Sequence, residues 1–251
     1  MSNTAPLVSI CMPAYNCAAT IDEAIGSVVA QSWRQWELLV VDDGSSDDTA
    51  QRVKAWQDGR IRLLRHNTPS GSPARPRNTA LAQARGRYIA FLDADDLWLP
   101  VKLERQLEFM RTSAAAISCC GYRRFDASGQ KSAVLPPLQA SYDDLLRQNT
   151  AGCLTVMLDR EQLPTFEFPA CGHEDYALWL SLLRRGETML GLPEILACYR
   201  LQAGSVSSSP LRNVAFLWHI YQQREQLGWW RSLTHIVGYA WRRQQRYQQG
   251  N

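Results

Sequence analysis

Strand-like and helix-like patterns alternate through the N-terminal part of the sequence, and this alternation restricts the fold more than any other feature of the chain. Strand patterns lie at residues 7–12, 37–41, 61–64 and 87–92, and helical patterns lie at about 20–31, 49–56, 77–84 and 100–111. Thr20 and Glu23 have the spacing of a capping box at the start of the first helix. Strands and helices that alternate in this way form βαβ units around a mainly parallel sheet. The sequence therefore predicts an α/β fold.

The second half of the chain has less regular patterns. We expect strands near 116–122, 153–158 and 194–199, a helix near 173–185, and a loop over 128–141. Residues 211–227 and 229–248 predict two further helices, separated at Gly228. We therefore expect one main domain over 1–210 and a helical C-terminal extension over 211–251.

Composition and charge narrow the classes of function. The seven cysteines lack the paired spacing of metal ligands, and several lie in apolar runs, where a reduced thiol behaves as a small hydrophobic group. The sequence shows neither a signal-peptide pattern nor an apolar run as long as a membrane span, which predicts a cytoplasmic protein. Residues 211–251 carry six arginines and one acid, but no nucleic-acid-binding motif accompanies them. We therefore expect no nucleic acid partner.

Three carboxylates follow the fourth strand pattern within four residues, at Asp93, Asp95 and Asp96. Carboxylates this close raise one another's pKa unless a cation neutralises them. A divalent metal with oxygen ligands, such as Mg²⁺ or Mn²⁺, would do so and would complete its shell with phosphate oxygens. The alternative is a solvated turn whose acids cap the next helix. The triplet alone leaves both interpretations open.

Two acids and a glycine follow the second strand pattern, at Asp42, Asp43 and Gly44. Two acids would repel a phosphate, but they would accept hydrogen bonds from the N–H of a nucleobase or from ribose hydroxyls. Capping of the next helix by the Ser45–Asp47 segment is the competing interpretation.

Two further segments carry groups that could act on a ligand. Arg75 and Arg77 stand in a proline-bracketed loop that could aim an arginine at a base or phosphate, although ordinary surface arginines would look the same. Glu174 and Asp175 follow His173 at the start of a predicted helix, where the helix dipole favours acids. A carboxylate there could also serve as a general base. All of these polar motifs follow predicted strands or open helices, and in an α/β sheet ligands bind at the carboxyl ends of the strands.

The ordered set of motifs resembles the family 2 glycosyltransferases, which are inverting, nucleotide-sugar-dependent enzymes with a GT-A fold. The resemblance covers about residues 7–207, and its matching segments are 8–16, 41–46, Pro76-Arg77-Asn78, 92–96, Glu174-Asp175, Tyr199-Arg200 and 205–207. It implies a nucleotide-binding half over about 1–100 and an acceptor-binding half over about 101–210.

The resemblance implies roles for matching residues on the donor side. Pro13, Tyr15 and the Asp42-Asp43 turn would border the base and ribose of a nucleotide-sugar donor, which we expect to carry UDP. Arg77 would contact the nucleotide, and Arg200 the phosphate. The Asp93-Ala94-Asp95 segment is similar to the metal motif of the family, with Asp95 coordinating Mn²⁺ or Mg²⁺ and Asp93 nearer the ribose and donor sugar.

On the acceptor side, the resemblance assigns Asp175 as the base that deprotonates the acceptor hydroxyl, and Glu174 as a ligand of acceptor or donor-sugar hydroxyls. One departure from the family is Gln202, where many relatives carry a histidine that can approach the metal or diphosphate. The loop 201–210 is rich in serine and is expected to close over the donor.

Aromatic residues alternate with arginines along the C-terminal extension. Such segments contact the interface of anionic membranes, or they pack as helices on the main domain, and both interpretations stay open. Contact with the inner membrane surface would favour a lipid-linked saccharide acceptor, as in bacterial surface-polysaccharide assembly. A nucleotidyltransferase and a non-catalytic nucleotide-sugar-binding protein are the competing functions.

Overall fold

The computed structural model describes residues 7–201 and 210–249. Within these residues ten strands form one mixed sheet. The strands are β1 Val8–Ala14, β2 Trp36–Asp42, β3 Ile61–Arg65, β4 Tyr88–Phe91, β5 Leu97–Trp98, β6 Ile117–Asp126, β7 Gly129–Val134, β8 Gln139–Ala140, β9 Val156–Asp159 and β10 Met189–Arg200. The α-helices are α1 Ile21–Val29, α2 Thr49–Ala55, α3 Ala74–Gln83, α4 Lys102–Ser113, α5 Tyr142–Arg147, α6 Glu174–Leu183, α7 Pro210–His219 and α8 Trp229–Gln249.

The sheet has the order β3-β2-β1-β4-β9-β6-β10-β5, with β7 beside β6 and β8 beside β10. Pairing is parallel from β3 to β4, as the βαβ pattern predicts. Beyond β4 the sheet is more mixed than predicted, because β9 runs antiparallel to both β4 and β6 while β10 is parallel to β6. The predicted α/β fold is confirmed.

Two local predictions near the first helices are wrong. Thr20 and Glu23 form no capping box, since the Thr20 hydroxyl donates to the carbonyl of Ala94 at 2.9 Å and Glu23 pairs with Arg200. The helix predicted from Arg77 begins earlier, at Ala74, so the proline-bracketed segment is its first turn and not a loop. Pro76 is tolerated there because N–H groups in the first turn of a helix have no intrahelical partner.

The region predicted as a loop over 128–141 contains strands. Gly129–Val134 turns back along β6, and Gln139–Ala140 pairs with β10. Ser141 and Asp144 then form a capping box at the start of α5. The strand Gly129–Val134 is almost wholly exposed, so it lacks the alternation of apolar residues on which strand prediction depends.

The C-terminal extension packs on the main domain. Leu217, Ile220, Tyr221 and Ile236 are buried in one core with residues of α5 and α6. A short π-helical segment, Ile220–Arg224, follows α7, and Gly228 separates it from α8, as the sequence predicts.

 Gly228 has a φ of +75°, a left-handed conformation that glycine adopts without steric cost.

The same extension leaves part of its aromatic surface exposed. Trp229 and Trp230 are 53% and 74% exposed, and Val237 on the same helix is 61% exposed. Among the helices within 7–201 and 210–249, none combines the length and the hydropathy needed to cross a bilayer. Packing on the main domain is therefore confirmed, while contact with a membrane stays a prediction.

Candidate active site

A cleft of about 590 Å³ opens at the carboxyl ends of the parallel strands. Its wall combines the turn after β1, the segment before α3 and the acidic turn after β4. The lining residues are Pro13, Ala14, Tyr15, Asn16, Cys17, Ala19, Thr20, Asp43, Gly71, Ser72, Pro73, Pro76, Arg77, Asp93, Ala94 and Asp95. The cleft thus lies at the edge of the sheet where ligands of α/β folds bind.

The acidic turn after β4 divides its three carboxylates between two environments. Asp93 and Asp95 line the cleft, whereas Asp96 is buried behind it and accepts the backbone N–H of Arg200 at 2.8 Å. Burial and the charge of Asp93 raise the pKa of Asp95 above its ordinary value. Two carboxylates that face one cleft are the oxygen ligands that Mg²⁺ and Mn²⁺ prefer.

Arg200 lies beneath the acidic turn and does not line the cleft. Its Nε donates to the carbonyl of Asp95 at 2.7 Å, and its Nη2 pairs with Glu23 at 2.7 Å. In this arrangement the guanidinium fixes the backbone that carries the carboxylates. The structure therefore gives Arg200 a positioning contact with the acidic turn, and its contact with phosphate stays a prediction.

Arg77 links the cleft to the first turn of α6. The residue lies in the first turn of α3 and is only 3% exposed. One terminal nitrogen, Nη2, donates to Asp93 at 2.5 Å, and the other, Nη1, donates to Glu174. A single guanidinium therefore joins the predicted metal motif to the predicted acceptor-side acids.

Glu174 and Asp175 occupy the first turn of α6, as predicted. Glu174 is buried, and this burial raises its pKa to about 6 despite the neighbouring charge of Arg77. Asp175 is half-buried, and its Oδ1 accepts the backbone N–H of Tyr176 at 2.7 Å. The helix begins from His173, whose φ of +55° is left-handed.

The two acids at the end of β2 also lie in different environments. Asp42 is buried outside the cleft lining, where its Oδ1 accepts the N–H of Ser45 at 2.9 Å and its Oδ2 pairs with Arg65. Asp43 does line the cleft. Its carboxylate contacts His66 Nδ1 at 2.6 Å and accepts the N–H and the hydroxyl of Ser70. Of the two predicted base-binding acids, the structure places only Asp43 at the cleft.

Several lining residues were not singled out by the sequence. Asn16, Cys17 and Thr20 extend the predicted Pro13–Tyr15 contact, and residues 71–73 form the opposite side. The φ of Asn16 is +46°, a conformation in which asparagine is enriched. The side-chain oxygen of Asn16 accepts the N–H of Ser46, which ties the turn after β1 to the turn after β2. In the sequence, a polar asparagine shortly after a buried strand was the feature that could have identified this lining residue.

Comparison with known proteins identifies the family. The model of the family described as glycosyl transferase family 2 matches residues 9–157, more than half of the chain. The chain belongs to glycosyltransferase family 2. It is therefore a glycosyltransferase, which sets aside the nucleotidyltransferase alternative. The family match contains the cleft, but it ends before Glu174 and Asp175.

Two curated relatives of this family 2 glycosyltransferase are each 40% identical to it. One is TuaG of Bacillus subtilis (strain 168), named for teichuronic acid biosynthesis, which aligns over 96% of this chain and 97% of its own. The other is WfgD of Escherichia coli, named as a UDP-Glc:alpha-D-GlcNAc-diphosphoundecaprenol beta-1,3-glucosyltransferase, which aligns over 85% of both chains.

Two solved structures of glycosyltransferases share the fold. S. aureus TarS 1-349 in complex with UDP-GlcNAc has a TM-score of 0.71 at 21% identity, over 85% of this chain and 65% of that longer chain. The mannosyltransferase PcManGT of Pyrobaculum calidifontis, in complex with GDP-Man and Mn²⁺, has a TM-score of 0.68 at 18% identity, over 94% and 69%. At these identities the likeness shows the GT-A fold.

Proposed function

We propose that this glycosyltransferase moves one sugar from a UDP-sugar to a saccharide carried on a lipid diphosphate, with inversion at the anomeric carbon. The reaction belongs to the assembly of a bacterial surface polysaccharide. The observation that carries the proposal is the Arg77 bridge between Asp93 in the cleft and Glu174 beside Asp175. The bridge supports the proposal because it joins the proposed donor half, over about 1–100, to the proposed acceptor half, over about 101–210.

The proposed chemistry gives each carboxylate of the first turn of α6 one role. Asp175 takes the proton of an acceptor hydroxyl, and the hydroxyl oxygen forms a bond to the anomeric carbon as the bond to the nucleoside diphosphate breaks. The bonding electrons leave with the diphosphate oxygen. Glu174 and Arg77 hold the sugar hydroxyls and the acidic turn in place. A base on the acceptor side and a leaving diphosphate on the donor side are together sufficient for a single in-line displacement.

A divalent cation fits the acidic turn by the chemistry of its donor set. Asp95 would hold Mn²⁺ or Mg²⁺ with help from Asp93, and the remaining ligands would be diphosphate and water oxygens. When bound, the ion stabilises the charge that develops on the leaving diphosphate. Within the described residues no group of three or more histidine, cysteine or acidic side chains could hold a metal ion. Gln202, the departure from the family, lies outside the described residues.

The names of two relatives support the proposed substrates. WfgD, at 40% identity over most of both chains, is named for a UDP-Glc donor and a diphosphoundecaprenol-linked acceptor. TuaG, at the same identity, is named for the synthesis of a bacterial polysaccharide. We extend these features to this chain as the proposal, and the transferred sugar is left to experiment.

We also propose that the C-terminal extension rests on the inner surface of the membrane that carries such an acceptor. Trp229 and Trp230 are exposed on α8, and tryptophan favours the membrane–water interface. Glu225, the single acid of the extension, is buried, so the neighbouring arginines meet no acid of the extension at its surface. An anionic lipid surface matches this combination.

The donor site is tested by thermal stability, because a ligand that binds the native state raises it. We expect UDP with Mn²⁺ to stabilise the protein and GDP to do so less. Asp95→Ala should lose the metal-dependent part of this stabilisation, while Asp126→Ala, which removes a carboxylate at the end of β6, should keep it. Equal stabilisation by UDP and GDP would contradict the assigned nucleotide, and no stabilisation by either would contradict the donor site.

A further inference from the structure

The C-terminal extension contacts the segment that immediately precedes the acids of α6. The imidazole Nε2 of His173 lies 3.1 Å from the side-chain oxygen of Asn213 on α7. The same imidazole meets the ring of Phe216 edge-on, with 5.4 Å between ring centroids. His173 is the residue before Glu174, so α7 contacts the chain at the point where α6 begins.

Backbone packing tightens this contact. A Cβ added at Gly172 would lie 2.3 Å from the Phe216 ring, so only a glycine allows α7 to approach so closely. Along α6, the hydroxyl of Tyr176 lies 2.9 Å from that of Tyr221, which belongs to the π-helical segment after α7. The extension therefore contacts the chain on both sides of Glu174 and Asp175.

The start of α6 lacks an ordinary cap. His173 makes no side-chain hydrogen bond to the first turn, and its backbone is left-handed. Helices usually begin at a residue in the extended region whose side chain accepts an N–H of the first turn. Here the imidazole of His173 contacts α7 instead, at the residue where a capping bond would ordinarily form.

We propose that His173 and Asn213 are positioning residues that set the placement of Asp175 through this contact, so that the C-terminal extension is part of the catalytic apparatus. The inference rests on the proposed role of Asp175 as the base. It predicts that breaking the contact slows the transfer step and largely spares donor binding, because the lining residues of the cleft lie outside α6, although one of them, Arg77, bonds to Glu174 there.

The test breaks the contact from either side. His173→Asn keeps a residue that tolerates the left-handed backbone but is too short to reach α7. Asn213→Ala removes the amide oxygen that lies beside the imidazole. With UDP-glucose and GlcNAc-diphosphoundecaprenol as probes, we expect each variant to lower kcat roughly tenfold with the KM for the donor within about twofold. The double variant should be no slower than the single ones, since both changes remove the same contact.

A matched control separates this contact from docking of the extension in general. The hydroxyl of Tyr142 donates to the buried Glu225 at 2.8 Å, a second bond between extension and main domain that lies away from the first turn of α6. Tyr142→Phe should keep kcat. Wild-type kcat in His173→Asn and Asn213→Ala, or an equal loss in Tyr142→Phe, would overturn the inference. Asp175→Asn distinguishes the two proposals, because full activity in that variant would instead overturn the assignment of the base.

Discussion

Lys102 is the first residue of α4, and its ammonium group is wholly buried. In the described part of the chain no hydrogen-bond acceptor lies within reach of its Nζ, which stands 3.9 Å from the centre of the Trp98 ring. Burial lowers the pKa of Lys102 from 10.5 to about 8. The folded protein therefore carries a charge that would be better solvated in the unfolded chain.

Replacement of this lysine by an apolar residue of similar size should stabilise the fold. The unfolded chain binds the proton more tightly between pH 8 and 10.5, so the unfolding free energy of the wild type should rise across that window. Lys102→Met should lack this rise and be more stable at pH 7, by up to about 3 kcal/mol for a difference of this size in pKa. Denaturant unfolding at several pH values measures both. A variant less stable than the wild type at pH 7 would show that the Trp98 contact outweighs burial.

Asp175 provides the residue-scale prediction for catalysis. Asp175→Asn keeps the size of the side chain and an oxygen that can accept the N–H of Tyr176, but it removes the base. Turnover should fall by roughly 10²–10⁴-fold, while stabilisation by UDP and Mn²⁺ is retained. Initial rates of UDP release and thermal shifts on the same preparation give the two readouts. Unchanged turnover would move the base to another residue.

At this scale the sequence predicted which segments meet but not which way each side chain points. Seven predicted residues line the cleft: Pro13, Tyr15, Asp43, Arg77, Asp93, Ala94 and Asp95. Asp42 and Arg200 do not, because a polar residue at the end of a strand can turn toward the cleft or back into the turn that supports it. Which of the two occurs depends on partners distant in sequence, such as Arg65 for Asp42.

Among the elements, β9 ends in an ion pair between a buried carboxylate and a partly exposed arginine. Asp159 at its end pairs with Arg87, which precedes β4, at 2.7 Å. Burial raises the pKa of Asp159, but the hydrogen bonds from Arg87 and Gln162 outweigh it and leave the pKa below 3.8. The pair therefore joins two neighbouring strands of the sheet through a carboxylate that stays ionised at neutral pH.

Asp159→Asn should weaken this junction in a way that depends on pH. At pH 7 the variant should lose roughly 1–3 kcal/mol of unfolding free energy, the usual contribution of hydrogen bonds to a charged group. Since the folded pKa is lower than the unfolded one, the contribution is present above pH 3.8 and is lost as the pH falls through the folded pKa. The two unfolding curves should converge in acid. A difference that is constant down to low pH would indicate lost packing and not lost charge.

The elements themselves were predictable where burial imposes a pattern. β1, β2 and β4 are almost wholly buried and read as apolar runs. The exposed strand Gly129–Val134 has no such run, and its pairing with β6 follows from chain proximity. The antiparallel placement of β9 between β4 and β6 could not be predicted from the sequence either, because an apolar run does not indicate whether a strand pairs parallel or antiparallel with its neighbours.

For the whole molecule, the exposed aromatics of α8 predict binding to anionic membranes. The purified protein should sediment with phosphatidylglycerol vesicles and not with phosphatidylcholine vesicles, and added salt should release it. Trp229→Ser with Trp230→Ser should weaken this binding roughly tenfold. Leu138→Ser is the control, since Leu138 is 71% exposed on the main domain. Equal binding by the double variant and the wild type would contradict a role of these tryptophans.

The sequence left two interpretations of the extension open, and the structure shows why. Leu217, Tyr221 and Ile236 face the core, while Trp229, Trp230 and Val237 face outward. Both sets belong to the same C-terminal extension and mix aliphatic with aromatic residues, so composition alone could not assign each residue to a side. The partner of the inward face, the region around α5 and α6, is distant in sequence.

The strand order has a consequence for how enzymes of this kind can diversify. β5, from the first 100 residues, pairs with β10, whereas β9, from the second half, pairs with β4. A recombination event near residue 100 would therefore have to re-form pairings at two places in the sheet at once. Exchange of whole halves between relatives is disfavoured, and new acceptor preferences are easier to reach through changes in the loops and in the extension.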